Sequence, residues 1–258
     1  MSYIQYEIRD SIATIVLNRA DKYNSFCREM ALDMQHALDQ AAADTTVRCV
    51  YITGSGKALC AGQDLAEAIE ENGIELSQIV EEHYNPIIRK MREIPKPVIC
   101  AVNGVAAGAG ANIALAADIV VATASASFIQ AFSKIGLIPD SGGTFFLPRL
   151  IGFQKATALM MLGGKVMAEE AEKLGMIYQF FADENFAGES WKLAQTLAAM
   201  PTKGLALTKQ LLNASADNNL TQQLKLEGEI QVLASQTFDY NEGVTAFLEK
   251  RKPNFKGV

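Results

Sequence analysis

Hydrophobic and polar positions predict strands along the first part of the chain. Residues 3–7 and 12–17 form two apolar segments that predict a hairpin around residues 9–11. Further β-branched runs predict strands at 46–53, 98–102, 119–123 and 127–129. Together these segments indicate a sheet built from several short strands.

Apolar residues recur at helical spacing in the segment after this hairpin. Met30, Met34 and Leu38 fall on one face of a predicted helix. Ser25 is the predicted N-cap of this helix, and Glu29 lies in its first turn.

The chain from residue 168 onward is predicted to be mainly helical, with a boundary at Met200-Pro201-Thr202. Strands that alternate with helices, followed by helices alone, indicate an α/β fold with a helical C-terminal region. We expect residues 1–200 to form the core and residues 201–258 to form that helical region.

The glycine-rich stretch from Asn103 to Asn112 is the most informative part of the sequence. It follows the predicted strand 98–102 and leads into a helix that we expect to start near residue 113. A strand, a glycine turn and a helix start direct several backbone N–H groups at one spot. The stretch lacks the spacing of a P-loop or a dinucleotide fingerprint. It indicates an apolar oxyanion hole, or alternatively no more than a tightly packed turn.

A second segment has the same layout. Residues 50–54 form a strand that ends in glycine, and the small-residue turn 60–65 follows. This layout recurs after roughly 50 residues, a period typical of stacked structural units. Neighbouring turns of such units lie side by side, so each can offer one N–H group to the same ligand oxygen.

Asp140 is the strongest catalytic candidate. It follows Pro139, precedes Ser141-Gly142-Gly143 and has apolar neighbours in the sequence, namely Ile135, Leu137, Ile138, Phe145 and Phe146. A carboxylate in an apolar cleft can be tuned to carry a proton. The alternative is that Asp140 is the N-cap of the following helix.

Composition narrows the possible functions. The 258 residues are 49% hydrophobic, and the net charge of −6 argues against a nucleic-acid partner. With two histidines and no C-x-x-C pair, we expect neither a metal site nor a Ser-His-Asp triad. The four cysteines are expected to be reduced core residues: Cys27, Cys49, Cys60 and Cys100.

The first residues lack the basic and apolar regions of a signal peptide. Segment 98–121 is apolar, but its glycines and polar residues make a membrane span improbable. We therefore expect a cytoplasmic protein that has no membrane partner. The acidic segment 65–85 is interpreted as a solvated helical face or as a cover over a pocket.

The chain resembles the crotonase (enoyl-CoA hydratase/isomerase) superfamily nearly from end to end. The likeness is carried by LNR at 17–19, NSF at 24–26, CAGQDL at 60–65, KPVICAVNG at 96–104, GLIPDSGG at 136–143 and EGVTAFLEKRK at 242–252. Runs 103–110 and 131–140 resemble the ring-1,2-epoxyphenylacetyl-CoA isomerase branch, which acts in phenylacetate breakdown.

The resemblance implies a spiral of ββα units, a helical trimerisation region and an acyl-CoA ligand. It places the two oxyanion-hole N–H groups on Gln63 and Ala109. These groups hold the thioester oxygen while an enolate develops.

Two departures from the hydratase pattern bear on the reaction. Hydratases of the family carry two glutamates that handle water, and the matching positions here are Asn112 and Phe132. Asparagine cannot act as a base, and phenylalanine excludes water, so we expect an isomerase and not a hydratase. The family's isomerases place a single carboxylate near the position of Asp140.

The expected reaction is a shift of a double bond from 3-enoyl-CoA to 2-enoyl-CoA, in which Asp140 moves a proton from C2 to C4. Conversion of 1,2-epoxyphenylacetyl-CoA to an oxepin thioester is the other expected reaction. Neither needs a cofactor, since coenzyme A is part of the substrate. The alternative function is a non-catalytic CoA-binding subunit that partners a true enoyl-CoA hydratase.

The resemblance also implies the residues that contact substrate and the state of assembly. We expect a homotrimer or hexamer in which Phe247 and Lys250 reach the CoA of a neighbouring subunit. The predicted substrate-binding residues are Lys22, Ser25, Ala61, Asp64, Leu65, Phe132, Phe247 and Lys250.

Overall fold

The computed structural model describes residues 2–68 and 75–258. Within them, the strands are β1 Ile4–Arg9, β2 Ile12–Leu17, β3 Cys49–Gly54, β4 Ala58–Cys60, β5 Val98–Val102, β6 Val105–Ala107, β7 Ile119–Thr123, β8 Ser127–Ile129, β9 Lys165–Met167 and β10 Gln179–Phe181. One sheet has the order β1-β2-β3-β5-β7-β10, and a smaller sheet has the order β4-β6-β8-β9.

Helices cover the sheets and form the C-terminal part of the chain. They are α1 Arg28–Ala43, α2 Leu65–Ala68, α3 Leu76–Gln78, α4 Asn85–Glu93, α5 Ala109–Leu115, α6 Gly143–Ile151, α7 Phe153–Leu162, α8 Ala168–Lys173, α9 Phe186–Ala198, α10 Thr202–Ala214, α11 Leu220–Ser235 and α12 Phe238–Leu248. A π-helix at Ile79–Tyr84 joins α3 to α4, and short 3-10 turns lie at Ala20–Lys22 and Ala131–Ile135. In the described ranges, no helix is long and apolar enough to cross a membrane.

The repeated unit predicted from the glycine turns is confirmed. Three strands of the large sheet, β3, β5 and β7, are parallel, and each is followed by a strand of the small sheet. Those following strands, β4, β6 and β8, are also parallel to one another. The units pack closely, because a Cβ at Gly110 would lie 2.6 Å from the Cβ of Cys60. The turns between the two sheets therefore lie side by side.

Two local predictions about helix starts are wrong. Helix α1 begins after Cys27, and its first N–H, from Arg28, donates to the Glu67 carboxylate at 2.9 Å, so Ser25 is not its cap. Helix α5 begins at Ala109, four residues before the expected start near residue 113. The positive φ of Gly108, +53°, turns the chain sharply enough to start the helix directly after β6.

The C-terminal region is held to the core by polar contacts that are buried or half-buried. Arg48 donates to the Thr202 hydroxyl at 3.0 Å and to the Phe255 carbonyl at 2.9 Å. Lys209 of α10 is buried and forms an ion pair of 2.8 Å with Asp118. The division into two regions at residue 200 stays a prediction.

Candidate active site

A cavity of about 540 Å³ opens where the glycine turns of the repeated units meet. Its wall is mainly apolar. The lining residues are Ala61, Gly62, Gln63, Leu65, Leu76, Ile79, Tyr84, Gly108, Ala109, Ala131, Phe132, Ile135, Leu137 and Asp140. Such a cavity is suited to an apolar ligand with a few polar contacts.

The two predicted oxyanion donors lie on adjacent turns. A Cβ added to Gly62 would lie 3.1 Å from the Ala107 oxygen and 3.6 Å from the Ala109 nitrogen, so only glycine lets these turns approach so closely. The Gly62 carbonyl and the Asp64 N–H bond to Phe26, which leaves the intervening N–H of Gln63 outside that pairing.

The N–H of Ala109 is also unused. Ala109 is the first residue of α5, so its N–H has no acceptor within the helix. Among the described residues, neither this group nor the N–H of Gln63 donates to another acceptor. Two free N–H groups on adjacent turns of an apolar cavity are suited to stabilise a developing oxyanion.

Asp140 lines the same cavity. Its carboxylate accepts a hydrogen bond of 2.9 Å from the hydroxyl of Ser141. Burial raises the pKa of Asp140 to about 6, against the opposing effect of the Ser141 hydrogen bond. A carboxyl group with this pKa is ionised at neutral pH and is a stronger base than an exposed aspartate.

The alternative interpretation of Asp140 as a helix cap is wrong. Gly142 is the N-cap of α6, and no side chain caps that helix. Of the apolar neighbours expected from the sequence, Ile135 and Leu137 line the cavity, whereas Ile138 is 82% exposed.

Of the two positions where the resemblance implies glutamates in hydratases, Phe132 lines the cavity and Asn112 lies behind it, in contact with Asp140. The side chain of Asn112 is fully buried, and its Nδ2 donates to the Asp140 carbonyl at 2.9 Å. Phe132 is 7% exposed and forms part of the wall. Its ring lies over the glycine turn, because a Cβ at Gly108 would lie 3.8 Å from the Cζ of Phe132. Neither side chain is a carboxylate, so neither can act as a base here.

Tyr84 is a polar residue of the cavity that the sequence interpretation missed. Its buried hydroxyl donates to the side-chain oxygen of Gln63 at 2.5 Å. Burial raises the pKa of Tyr84 well above its ordinary value, which keeps the hydroxyl protonated. The Gln63 amide in turn donates to Glu67 at 3.1 Å, so its orientation is fixed on both sides. Tyr84 ends the π-helix, an irregularity that often marks a functional site.

The predicted substrate-binding residues near the first turn are only partly at the cavity. Ala61 and Leu65 line it, and the Ala61 N–H donates to the carbonyl of Tyr23, which places the Lys22–Ser25 turn against the cavity mouth. Lys22 is exposed there.

Ser25 and Asp64 are occupied by contacts with Arg19. Asp64 does not line the cavity and forms an ion pair of 2.7 Å with Arg19, whose guanidinium also donates to the Ser25 hydroxyl at 3.4 Å. Burial, the largest single effect, acts to raise the pKa of Asp64, but the hydrogen bonds from Arg19 and the Ala66 N–H together with the nearby positive charges lower it overall. These two residues therefore hold the turn in place within this chain.

The predicted C-terminal binding residues lie elsewhere in the single chain. Phe247 is 82% exposed and lines a separate groove between the last helices, and Lys250 is also exposed. Their predicted contact with a neighbouring subunit's CoA stays a prediction.

The cysteines and histidines take no part in the cavity lining. Cys49, Cys60 and Cys100 are buried free thiols, as predicted for core residues, whereas the free thiol of Cys27 is only half-buried. His83 is buried, and burial lowers its pKa. In the part of the chain that the structure describes, no three His, Cys, Asp or Glu side chains are grouped to hold a metal ion.

Comparison with known proteins shows which family the chain belongs to. Residues 7–258 match the enoyl-CoA hydratase/isomerase family. The 1,2-epoxyphenylacetyl-CoA isomerase of Escherichia coli (strain K12) is 48% identical, over 100% of this chain and 99% of that protein. A Rhodobacter capsulatus protein named "Probable enoyl-CoA hydratase" is 42% identical, over 100% of both chains.

Solved structures show the same likeness. The crystal structure of an enoyl-CoA hydratase from Bacillus anthracis superposes with a TM-score of 0.92, at 31% identity, and covers 99% of this chain and 100% of that chain. The chain therefore belongs to the enoyl-CoA hydratase/isomerase family and has its α/β crotonase fold.

Proposed function

We propose that this protein is a CoA-thioester isomerase that uses two backbone N–H groups and one carboxylate. One observation carries the proposal. Among the described residues that line the cavity, Asp140 is the only one with a carboxyl group, and it lies with the free N–H groups of Gln63 and Ala109. A single base beside an oxyanion hole suffices for proton transfer within one substrate, whereas hydration also needs a group that activates water.

The proposed chemistry begins with the thioester oxygen bound to the N–H groups of Gln63 and Ala109. These donors stabilise the negative charge that develops when Asp140 removes a proton from C2. The electron pair of the C2–H bond forms the enolate, and the 3,4 double bond moves into conjugation when the protonated Asp140 returns the proton to C4. No atom is gained or lost, and no metal or nicotinamide is used.

The 48% identical relative supports a ring epoxide of phenylacetyl-CoA, which is no longer aromatic, as a second substrate for this activity. In 1,2-epoxyphenylacetyl-CoA, the same polarisation of the thioester promotes cleavage of the C–C bond shared by the epoxide and the six-membered ring. Its electron pair and the two ring double bonds become the three double bonds of the oxepin, again without gain or loss of atoms. A trans-2-decenoyl-[acyl-carrier-protein] isomerase from Streptococcus mutans, 34% identical, supports movement of a double bond along an aliphatic thioester.

The proposal includes a homotrimer or hexamer. Support comes from the exposed apolar side chains of the last helices, among them Phe247, Leu248 and Val244, which line a groove of about 410 Å³. The non-catalytic alternative is weaker, because such a subunit has no need of a half-buried carboxylate with a raised pKa in the cavity that holds the two N–H groups.

A panel of three thioesters tests the proposed function. The purified protein is incubated with 3-hexenoyl-CoA, 1,2-epoxyphenylacetyl-CoA and crotonyl-CoA, and products are separated by chromatography. We expect isomerisation of at least one of the first two substrates. We expect crotonyl-CoA hydration well below roughly 10 per second, the rate of a typical dedicated enzyme. Fast hydration without isomerisation would overturn the proposal.

A further inference from the structure

Asn112 connects the two halves of the proposed machinery. It lies three residues after Ala109 on α5, so its side chain is fixed to the same helix that presents the Ala109 N–H. Its Nδ2 donates to the main-chain carbonyl of Asp140 at 2.9 Å. The base and the oxyanion donor are therefore linked through one buried amide.

The orientation of this amide is set from its other side. Gln130 is 5% exposed, and its Nε2 donates to the Oδ1 of Asn112 at 2.7 Å. With Oδ1 occupied by a donor, Nδ2 is the atom that faces Asp140. The two hydrogen bonds run in one direction: Gln130 donates to Asn112, and Asn112 donates to the Asp140 carbonyl.

The loop at residues 140–143, which accepts the hydrogen bond from Asn112, has a strained backbone conformation. Ser141 has φ of +50°, which is strained for a residue with a side chain, and Gly142 has φ of +72°. The Asp140 carbonyl also accepts from the N–H of Gly143 at 2.9 Å, which closes the turn. The Asn112 contact is the link from this turn to another element of the site.

Shape at this contact is as restrictive as hydrogen bonding. A Cβ at Gly143 would lie 2.6 Å from the Cγ of Asn112, so the loop backbone packs directly on the carboxamide. A longer side chain at position 112 would push the loop away, and an ionised carboxylate would place an acceptor against the Asp140 carbonyl.

We propose that Asn112, oriented by Gln130, is a positioning residue. It fixes the position of the Asp140 carboxylate relative to the two N–H groups of the oxyanion hole. This inference rests on the proposed isomerase function. It also means that a glutamate at position 112 is incompatible with the present placement of Asp140. The residue at position 112 therefore permits either a hydratase-type site or an isomerase-type site, but not both.

The test compares Asn112→Leu, Asn112→Asp and a matched control. Leucine has nearly the same branched shape but cannot donate. We expect Asn112→Leu to lower kcat for isomerisation of 3-hexenoyl-CoA at least about 10-fold, with KM changed less than about 2-fold, because misplaced reacting groups lower the rate more than binding. The control is Asn213→Leu, which removes a bond of the same kind, from Nδ2 to the Arg92 carbonyl at 2.9 Å. Asn213 does not line the cavity, and kcat should change less than about 2-fold.

Asn112→Asp supplies a readout that a merely structural role would not move. The introduced carboxyl is buried and therefore neutral at low pH, where its hydroxyl can donate to the Asp140 carbonyl. We expect kcat of Asn112→Asp at pH 6 to lie within about 3-fold of the wild-type kcat at the same pH. Ionisation of the introduced carboxyl group at higher pH should lower the kcat of this variant.

Three results would count against the positioning role, and one against the reaction itself. Full kcat in Asn112→Leu, an equal loss in Asn213→Leu, or no rescue by a folded Asn112→Asp at pH 6 would overturn the role of Asn112. Cooperative unfolding of each variant verifies that it is folded. Absence of isomerisation in the wild type would overturn the proposed function and this inference with it.

Discussion

Replacement of Asp140 by asparagine should make the protein more stable while it removes the proposed base. Burial raises the pKa of Asp140 from its ordinary value of 3.8 to about 6. The folded state therefore binds a proton more tightly than the unfolded state does, and this group lowers stability as the pH rises from about 4 to above 6. Asparagine keeps the shape and can still accept the Ser141 hydrogen bond, but it has no charge to bury.

The size of the effect follows from the pKa difference. A pKa raised from 3.8 to about 6 corresponds to roughly 3 kcal/mol of unfolding free energy once both states are ionised. The free energy of unfolding of Asp140→Asn should exceed that of the wild type by this amount at pH 8. At pH 5 the difference should be about 1.5 kcal/mol, because Asp140 is then mostly ionised in the unfolded state but not in the folded state.

Urea unfolding followed by tryptophan fluorescence measures this difference. Trp191, the one tryptophan of the chain, packs against Tyr51 with ring centroids 5.6 Å apart, so its emission reports unfolding of the core. Both proteins are measured at one protein concentration, since assembly would add to stability.

Asp183→Asn is the control of opposite sign. Hydrogen bonds from Thr123 and Ser125 lower the pKa of Asp183, so its carboxylate stabilises the fold at pH 8, and that stability is lost as the pH falls through the lowered pKa. This variant should be less stable than wild type at pH 8. Equal or lower stability of Asp140→Asn at pH 8 would refute the argument that the Asp140 carboxylate is disfavoured in the fold.

Two further predictions concern titration and thiol reactivity. The kcat/KM for isomerisation should rise with pH and level off above a midpoint near pH 6, since Asp140 must be ionised to act and its pKa is about 6; a rate independent of pH between 5 and 8 would contradict this. In the native protein only the half-buried thiol of Cys27 should react rapidly with an aromatic disulfide reagent. The other three thiols should react slowly, because burial raises the pKa of Cys49 and Cys60 to about 12 and raises the pKa of Cys100 as well. All four should react in denaturant, and rapid reaction of more than one native thiol would show that the core is open.

The parts of the fold that could be predicted from sequence are those set by local pattern. Strands β2 and β5 lie where β-branched runs placed them, because strands buried in a sheet need such runs. The edge strand β1 is mostly exposed, and it continues to Arg9, beyond the predicted end at residue 7. The glycine turns could also be recognised from sequence, because the neighbouring turn leaves too little room for a side chain at Gly62.

Features that depend on distant parts of the chain could not be predicted. The N-terminus of α1 is capped by Glu67, which lies 39 residues away from Arg28, so the nearby Ser25 was a misleading signal. Tyr84 was hidden in an acidic segment, of which residues 69–74 lie outside the described residues. Nothing in its local pattern shows that the π-helix brings its hydroxyl to Gln63.

The candidate site shows the same division. Asp140 could be found from its proline and glycine neighbours, but only the structure separates a cavity carboxylate from a helix cap, because Gly142 occupies the cap position. Asn112 could be identified as a missing base from the family resemblance. Its hydrogen bond to Asp140 depends on the packing of α5 against the loop before α6.

Hydrogen exchange at C2 of the substrate tests the central claim most directly. Wild-type protein and Asp140→Asn are incubated with 3-hexenoyl-CoA in deuterated buffer at pH 8, and deuterium incorporation is followed by NMR. We expect incorporation and isomerisation in the wild type, and at least about 100-fold slower exchange in the variant, the lower end of the contribution of a positioned base. Binding of the thioester should persist, since the Gln63 and Ala109 donors are backbone groups. Exchange at the wild-type rate in Asp140→Asn would show that another group is the base.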